Sequence, residues 1–323
     1  MKKTGIALLI IISCYASLQA QQLDSLLAKD NIIAELDSLL SSEDSLSIFN
    51  LIDSIMQLPD TEKEHSQLAV RMGYNSNVIA AARTIGFNQF GLAPGVSYYH
   101  KSGAYADVTG YWSPEYTPDY YLSVASAGYM KTVGKHWSFL AEYSHYFYSD
   151  TGSDTYIPYT NNLGVTNFLE FGPVNFRFDY YFYFGEKTAH RLMPGLGLNL
   201  EKKNWKGIKR IIFFPSFNIL FGSETVTTYQ REIRAYTTRP LEILYRKNHN
   251  LPLFYTYYLE SNKKEFGVMN YSLSAPLSVA IKNWTFLVSY TYNFPKPLPG
   301  EDLGLVNSGY LSFSVTRYIP FGK

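Results

Sequence analysis

Six charged side chains, Asp107, Glu142, Glu170, Arg177, Asp179 and Glu201, are the residues of this sequence best placed to do chemistry. Each lies in a segment whose residues alternate between bulky apolar and smaller or polar types, and each takes the less apolar parity. In a closed sheet all six therefore project inward, where they could line a pore, hold a polar ligand, or pair with one another to fill a narrow interior. A second set, Arg231, Arg234, Arg239, Arg246 and Lys247, lies within residues 222–264, where seven Lys or Arg stand against four Asp or Glu. Guanidinium and ammonium groups grouped in this way could bind a phosphate-bearing or other polyanionic partner, or could simply solvate a lid.

Catalytic chemistry finds little footing. Ser144 and His145 are the nearest approach to a nucleophile and its base, but adjacent strand residues point to opposite faces, so these two alone cannot form the pair. His100 and His136 fall in expected turns, and no His or carboxylate cluster has metal-ligand spacing. The sequence therefore leads us to expect no enzyme, no catalytic residue, no metal and no cofactor.

The elements that must position the charged residues follow from the period of the sequence. Trp284, Phe286, Val288, Tyr290, Tyr292 and Phe294 alternate with Asn283, Thr285, Leu287, Ser289, Thr291 and Asn293. Phe176, Phe178, Tyr180, Phe182 and Phe184 alternate with Asn175, Arg177, Asp179, Tyr181 and Tyr183, and Leu311, Phe313 and Val315 alternate with Ser312, Ser314 and Thr316. Met269, Tyr271, Leu273, Leu277 and Val279 are expected on one face, opposite Asn270, Ser272, Ser274 and Ser278. Many segments reach about 10 to 14 residues, the length of a tilted membrane-crossing strand rather than the usual 5 or 6 of a globular sheet.

Tight turns at His100–Gly103, Gly134–His136, Gly172–Pro173 and Lys282–Asn283 alternate with longer connections, including 222–264 and 295–307. Short periplasmic turns and long outer loops are the pattern of a transmembrane barrel. A strand must precede the one that enters His100–Gly103, and residues 77–87 are the expected candidate. The fold class expected is thus an all-β transmembrane barrel of about 12 antiparallel strands with a short N-terminal α-helical periplasmic segment.

Residues 1–20 read as a secretory signal: Lys2 and Lys3 precede an apolar run, Gly5 to Ser13, too short to span a bilayer. Cleavage is expected after Ala20, with Ala16 as the fallback. The only cysteine, Cys14, lies in that leader, where Ile11 to Cys14 loosely resembles a lipobox. Residues 21–72 are expected to be acidic, amphipathic and helical; residues 21–65 hold ten Asp or Glu against Lys29 and Lys63. The barrel is expected over 73–323, with a long surface loop at 222–264.

The run Gly91-Leu-Ala-Pro-Gly-Val-Ser-Tyr-Tyr-His-Lys-Ser-Gly103, with Tyr105, Asp107 and Tyr111-Trp112 after it, resembles uncharacterised outer-membrane barrel proteins of Bacteroidota. The resemblance extends loosely over residues 66–321 and implies architecture alone. The C-terminal Tyr318-Ile-Pro-Phe321 looks like a signal read by barrel-assembly machinery. The functional expectation is a scaffold or partner-binding outer-membrane subunit, with a small-solute channel as the alternative and an outer-membrane phospholipase behind both. Expected partners are membrane lipid and lipopolysaccharide, the assembly machinery, and a periplasmic or outer-membrane protein met through residues 21–65; nucleic acid is not expected.

Overall fold

The computed structural model describes residues 65–77, 90–114, 118–149, 159–301 and 303–321. The expected signal at 1–20, with Cys14, and the expected helical segment up to residue 64 lie outside the described residues. So does most of the candidate strand at 77–87.

Strands β1 (Gln67–Asn75), β2 (Gly91–Tyr99), β3 (Ala104–Trp112), β4 (Tyr120–Val133), β5 (Trp137–Tyr148), β6 (Asn161–Phe171) and β7 (Val174–Phe184) form an antiparallel meander. The chain continues through β8 (Thr188–Leu198), β9 (Leu200–Trp205), β10 (Ile208–Phe213) and β11 (Ser216–Ala235), then a short helix α1 (Pro240–Asn248). It finishes with β12 (Phe254–Ile281), β13 (Trp284–Pro295) and β14 (Ser308–Pro320). β8 and β9 are parts of one stave broken at Asn199, and β10 and β11 of another broken at Phe214-Pro215, where proline cannot donate to the ladder. β1 pairs with β14, which closes a barrel of 12 staves with no free lateral edge.

Why the sheet closes is visible in its two faces. Val165, Phe178, Val288, Leu311 and Phe313 are exposed on the outside, while Ser289, Ser312, Thr166 and Asp179 on the same strands are buried inside. A protein with its apolar side chains outermost is stable only in lipid. Outward aromatic rings gather towards the ends of the staves: Tyr98 lies against Phe321, Trp137 against Phe139 and Phe171 against Phe176 near one end, and Phe90 against Tyr74 and Trp112 near the other. These are the interfacial belts of a membrane barrel.

The four expected tight turns all form, and a fifth joins β9 to β10 at Lys206-Gly207, where both residues have positive φ (49° and 88°), as a two-residue hairpin requires. All five lie at the end that carries the start of β1 and the finish of β14. Short turns face the periplasm in barrels of the outer membrane, and by that rule this end is assigned to the periplasm.

Two boundaries differ from the sequence expectation. The barrel starts at Gln67 rather than residue 73, and the strand before β2 is β1 rather than residues 77–87. Leu68, Val70, Met72 and Tyr74 alternate with Ala69, Arg71, Gly73 and Asn75, a period of two that the acidic stretch before it obscures. The expected surface loop at 222–264 is mostly strand: β11 and β12 stay paired from Gly222↔Gly267 out to Ala235↔Phe254, so only 236–253 connects them, with α1 inside it. Thr, Tyr, Val and Ile recur through this stretch, and such residues sustain a ladder.

Met269 also departs from expectation. Instead of facing lipid it is fully buried, as is its neighbour Asn270. The register between β11 and β12 slips beside Leu220 and Phe221, so Met269 is the extra residue of a bulge and turns inward. A matching irregularity between β3 and β4 turns Tyr121 inward beside Leu122.

Candidate functional site

The site is the barrel lumen, and its chemistry follows from which staves face each other. In a ring of 12, β12–β14 stand opposite β4–β6. Facing inward from β12–β14 are Asn270, Ser278, Thr285, Ser289, Thr291, Asn293, Ser312 and Thr316, a wall of hydroxyls and amides. The wall from β3 to β7 presents Tyr105, Tyr111, Tyr146 and Tyr183 between its charged groups.

Those charged groups form separate ion-paired clusters. Arg71 lies 3.4 Å from Asp107 and donates to Thr109 Oγ1 at 2.7 Å. Asp107 accepts from Ser97 Oγ at 2.5 Å and from Thr109 Oγ1 at 2.7 Å. Gly95 makes this cluster possible, because a Cβ there would lie 2.7 Å from Arg71 Nη2 and 2.8 Å from Thr109 Oγ1. One strand pair further on, Glu142 accepts from the Tyr105 hydroxyl and from Ser144 Oγ at 3.1 Å, and Ser144 also bonds Ser126 at 2.8 Å.

Arg177 pairs with the fully buried Asp179, two residues along the same inward row. Towards the outer end Arg191 pairs with Glu224 and donates to the Ser223 carbonyl at 2.9 Å. At the periplasmic end Arg210 pairs with Glu201, which also has Lys203 at 3.6 Å.

All six charged residues expected inside therefore sit on inward rows. They do not converge. Asp107 and Glu142 lie in the Arg71–Tyr105 region, Arg177 and Asp179 form their own pair, and Glu170 and Glu201 lie next to periplasmic turns. Parity revealed these six but missed Arg71, Arg191, Arg210 and Glu224, which supply half of the pairing. Arg71 fell within the expected helical segment and Glu224 within the expected loop. Arg191 and Arg210 sit in strands interrupted by glycine or proline, where alternation is harder to follow.

Several buried atoms on the inward rows have no hydrogen-bond partner among the described residues, including Asn162 Oδ1, Asp179 Oδ1, Asn270 Oδ1, Ser278 Oγ and Ser289 Oγ. Buried polar atoms in native proteins are almost always satisfied by protein or by water. These atoms lie in a closely filled interior, out of reach of bulk water.

Apolar side chains share the interior: Leu122, Val124, Tyr146, Ile212 and Leu287 belong to one buried cluster, Tyr99, Tyr105, Met130 and Phe168 to another, and a third lies at the outer mouth. Leu220, Val226, Met269 and Leu298 form an apolar cluster with Met193 beside it. Leu298 comes from the connection between β13 and β14, held by Lys296 N donating to the Met269 carbonyl at 2.7 Å and by Leu298 N donating to Glu301 at 2.6 Å. The Met269 bulge thus brings both an apolar side chain and a loop over the inner wall.

Ser144 and His145 take opposite faces. Ser144 is buried in the lumen, whereas His145 packs edge-on against the outward Phe147, 4.5 Å between ring centroids, and bonds Asn161 Oδ1 at 2.8 Å.

The five basic residues of 222–264 lie beyond the barrel, on an arm made of paired β11 and β12 with α1 at its tip. Arg234 donates to Glu232 at 2.9 and 3.1 Å and lies over Tyr257. Arg246 donates to the Pro252 carbonyl at 3.1 Å and stacks on Tyr236, so both guanidiniums brace the arm. Arg231, Arg239 and Lys247 are exposed and make no ion pair among the described residues.

An inside-out sheet, closed on itself, belted by aromatic rings, largely apolar on its outer face and carrying its charges within, settles the class. This is a bacterial outer-membrane β-barrel. No family model matches the sequence, and no curated protein matches it either. Among solved structures the chain is similar to a KdgM porin (8% identity, 78% of this chain and 98% of that one, TM-score 0.41). It is also similar to the NanC porin (12% identity, 77% and 98%, TM-score 0.41) and to the outer membrane protein Omp33 of Acinetobacter baumannii (6% identity, 79% and 99%, TM-score 0.33). At such identities no activity carries across.

Proposed function

We propose that this barrel passes small hydrophilic solutes across the outer membrane. One observation carries the reading: β12–β14 turn Asn270, Ser278, Thr285, Ser289, Thr291, Asn293, Ser312 and Thr316 inward, a continuous run of hydroxyl and amide groups that faces ionic pairs and suits a hydrophilic solute. Inward side chains as covered as Asp179, Ser289 and Ser312, each at 0% exposure, line no wide bore. The solutes are therefore small. Within the lumen Arg71, Arg177, Arg191 and Arg210 each pair with a carboxylate, which argues for weak charge selection there rather than a strong anion or cation filter.

Liposome swelling tests it. Vesicles carrying the full-length protein are expected to swell in small sugars faster than empty vesicles and to exclude larger oligosaccharides. Swelling no faster than empty vesicles in every solute would overturn the reading.

A second reading rests on the arm. Ile233, Leu241, Leu244, Phe254 and Tyr258 are all more than half exposed there, next to Arg231, Arg239 and Lys247. Basic and apolar groups mixed in this way fit contact with lipopolysaccharide or with a protein partner, and make the chain a subunit that engages others outside the cell.

A further inference from the structure

The periplasmic rim carries a charge pattern that solute passage does not use. Lys101, Lys131, Lys135, Lys202, Lys206 and Lys282 lie at the four turns joining β2 to β3, β4 to β5, β9 to β10 and β12 to β13. All six are exposed, and none forms an ion pair among the described residues. Lys202 and Lys206 rest on the Trp205 ring, 5.2 and 5.5 Å from its centroid, which leaves their ammonium groups otherwise uncommitted. Carboxylates at this end are few: Glu201 is taken by Arg210 and Lys203, which leaves Glu170. A ring of like charge around one mouth repels itself and attracts an anion of similar extent.

The chain itself supplies such an anion at the same place. Residues 21–64 hold ten Asp or Glu against Lys29 and Lys63. They lead directly into the rim, because Ser66 Oγ accepts from the Lys101 backbone N–H at 3.2 Å and the Ser66 carbonyl accepts from Phe321 N at 2.8 Å. Tethering at that point gives the acidic stretch a high effective concentration at the lysines, which weak individual ion pairs need if they are to persist.

We propose that the lysine ring of the periplasmic rim is the docking surface for this chain's own acidic segment, residues 21–64. The interaction is electrostatic, multivalent and intramolecular.

Carbodiimide coupling tests this, since it joins a carboxylate to a lysine amine only where the two touch. The full chain, folded in zwitterionic micelles, would be coupled and its linked peptides identified by mass spectrometry. Links within one chain between the rim lysines and Asp or Glu of residues 21–64 are expected. They should largely vanish in 1 M salt, where the Debye length falls to about 3 Å. A Lys101→Glu, Lys135→Glu, Lys206→Glu variant that keeps the heat-dependent gel shift of an intact barrel should lose them too. The proposal is overturned if intramolecular links are absent, if links join only different chains, or if vesicles containing phosphatidylglycerol abolish them at low salt, which would assign the ring to anionic lipid headgroups.

Discussion

At the scale of single residues, the lumen works because charges are taken in pairs and small residues make room for them. Asp179 has no exposure and Arg177 beside it has little, so removing one partner leaves an uncompensated buried charge. Such a loss typically costs about 3–5 kcal/mol, whereas replacing both partners by apolar groups is far milder. Asp179→Ala should therefore lower the urea midpoint of the folded barrel well below that of Arg177→Met with Asp179→Leu. Equal midpoints would mean that the pair is not buried in the working protein.

Gly95 offers a companion case. Gly95→Ala forces a methyl group into the space of the Arg71 guanidinium, and an overpacked site commonly costs about 1–3 kcal/mol. Comparing the unfolding of Gly95→Ala in the Arg71 and Arg71→Ala backgrounds should show the penalty shrinking once the guanidinium is gone; an unchanged penalty would contradict the contact. Residue parity made Asp107, Glu142 and Asp179 legible in the sequence, because alternation fixes a face without any knowledge of neighbours. Their partners were not legible. Pairing Arg71 with Asp107 requires knowing that β1, β2 and β3 lie side by side, and no local pattern states that.

At the scale of elements, the staves obey one rule on the outside. Val288 lies near the middle of β13, flanked by Leu277 of β12 and Phe313 of β14 on the same outward face. An arginine at the bilayer midplane of such a strand costs about 2–4 kcal/mol, falling to about 0–1 near the interface. Val288→Arg should destabilise insertion into vesicles by that amount, measured as refolding yield across a urea series, and Leu311→Arg, at the outer end of β14, by clearly less. If both behave like the parent protein, the outward face does not meet lipid.

Strand existence was legible wherever bulky and polar residues alternate cleanly, as in β7, β13 and β14. It failed at β1, hidden behind an acidic stretch, and along the arm, where both faces are exposed and no burial contrast marks the period. Bulges escape a periodic reading by their nature. Met269 and Tyr121 sit one step out of register, so strict alternation assigns Met269 to lipid when the ladder turns it into the lumen.

At the scale of the whole molecule, the decisive feature is inversion. A soluble barrel hides apolar side chains and shows polar ones; this one wears Val288, Leu311 and Phe313 outside and keeps Ser289, Ser312 and Asp179 within. The number of staves, the short inner turns and the shared end for both ends of the sheet were legible from segment length and turn spacing. What the lumen admits was not, because width depends on side chains reaching across from opposite staves, a relation separated by half the sequence.

Met269 and Leu298, in the apolar cluster at the outer mouth, are large side chains set over the inner wall, so trimming Met269 should ease passage. Single-channel recording in planar bilayers tests the central claim most directly, with the parent protein and Met269→Ala compared side by side. The parent should give small, steady openings of weak ion selectivity, and Met269→Ala larger ones. Silent membranes for both, from protein shown to be folded and inserted, would contradict a conducting lumen.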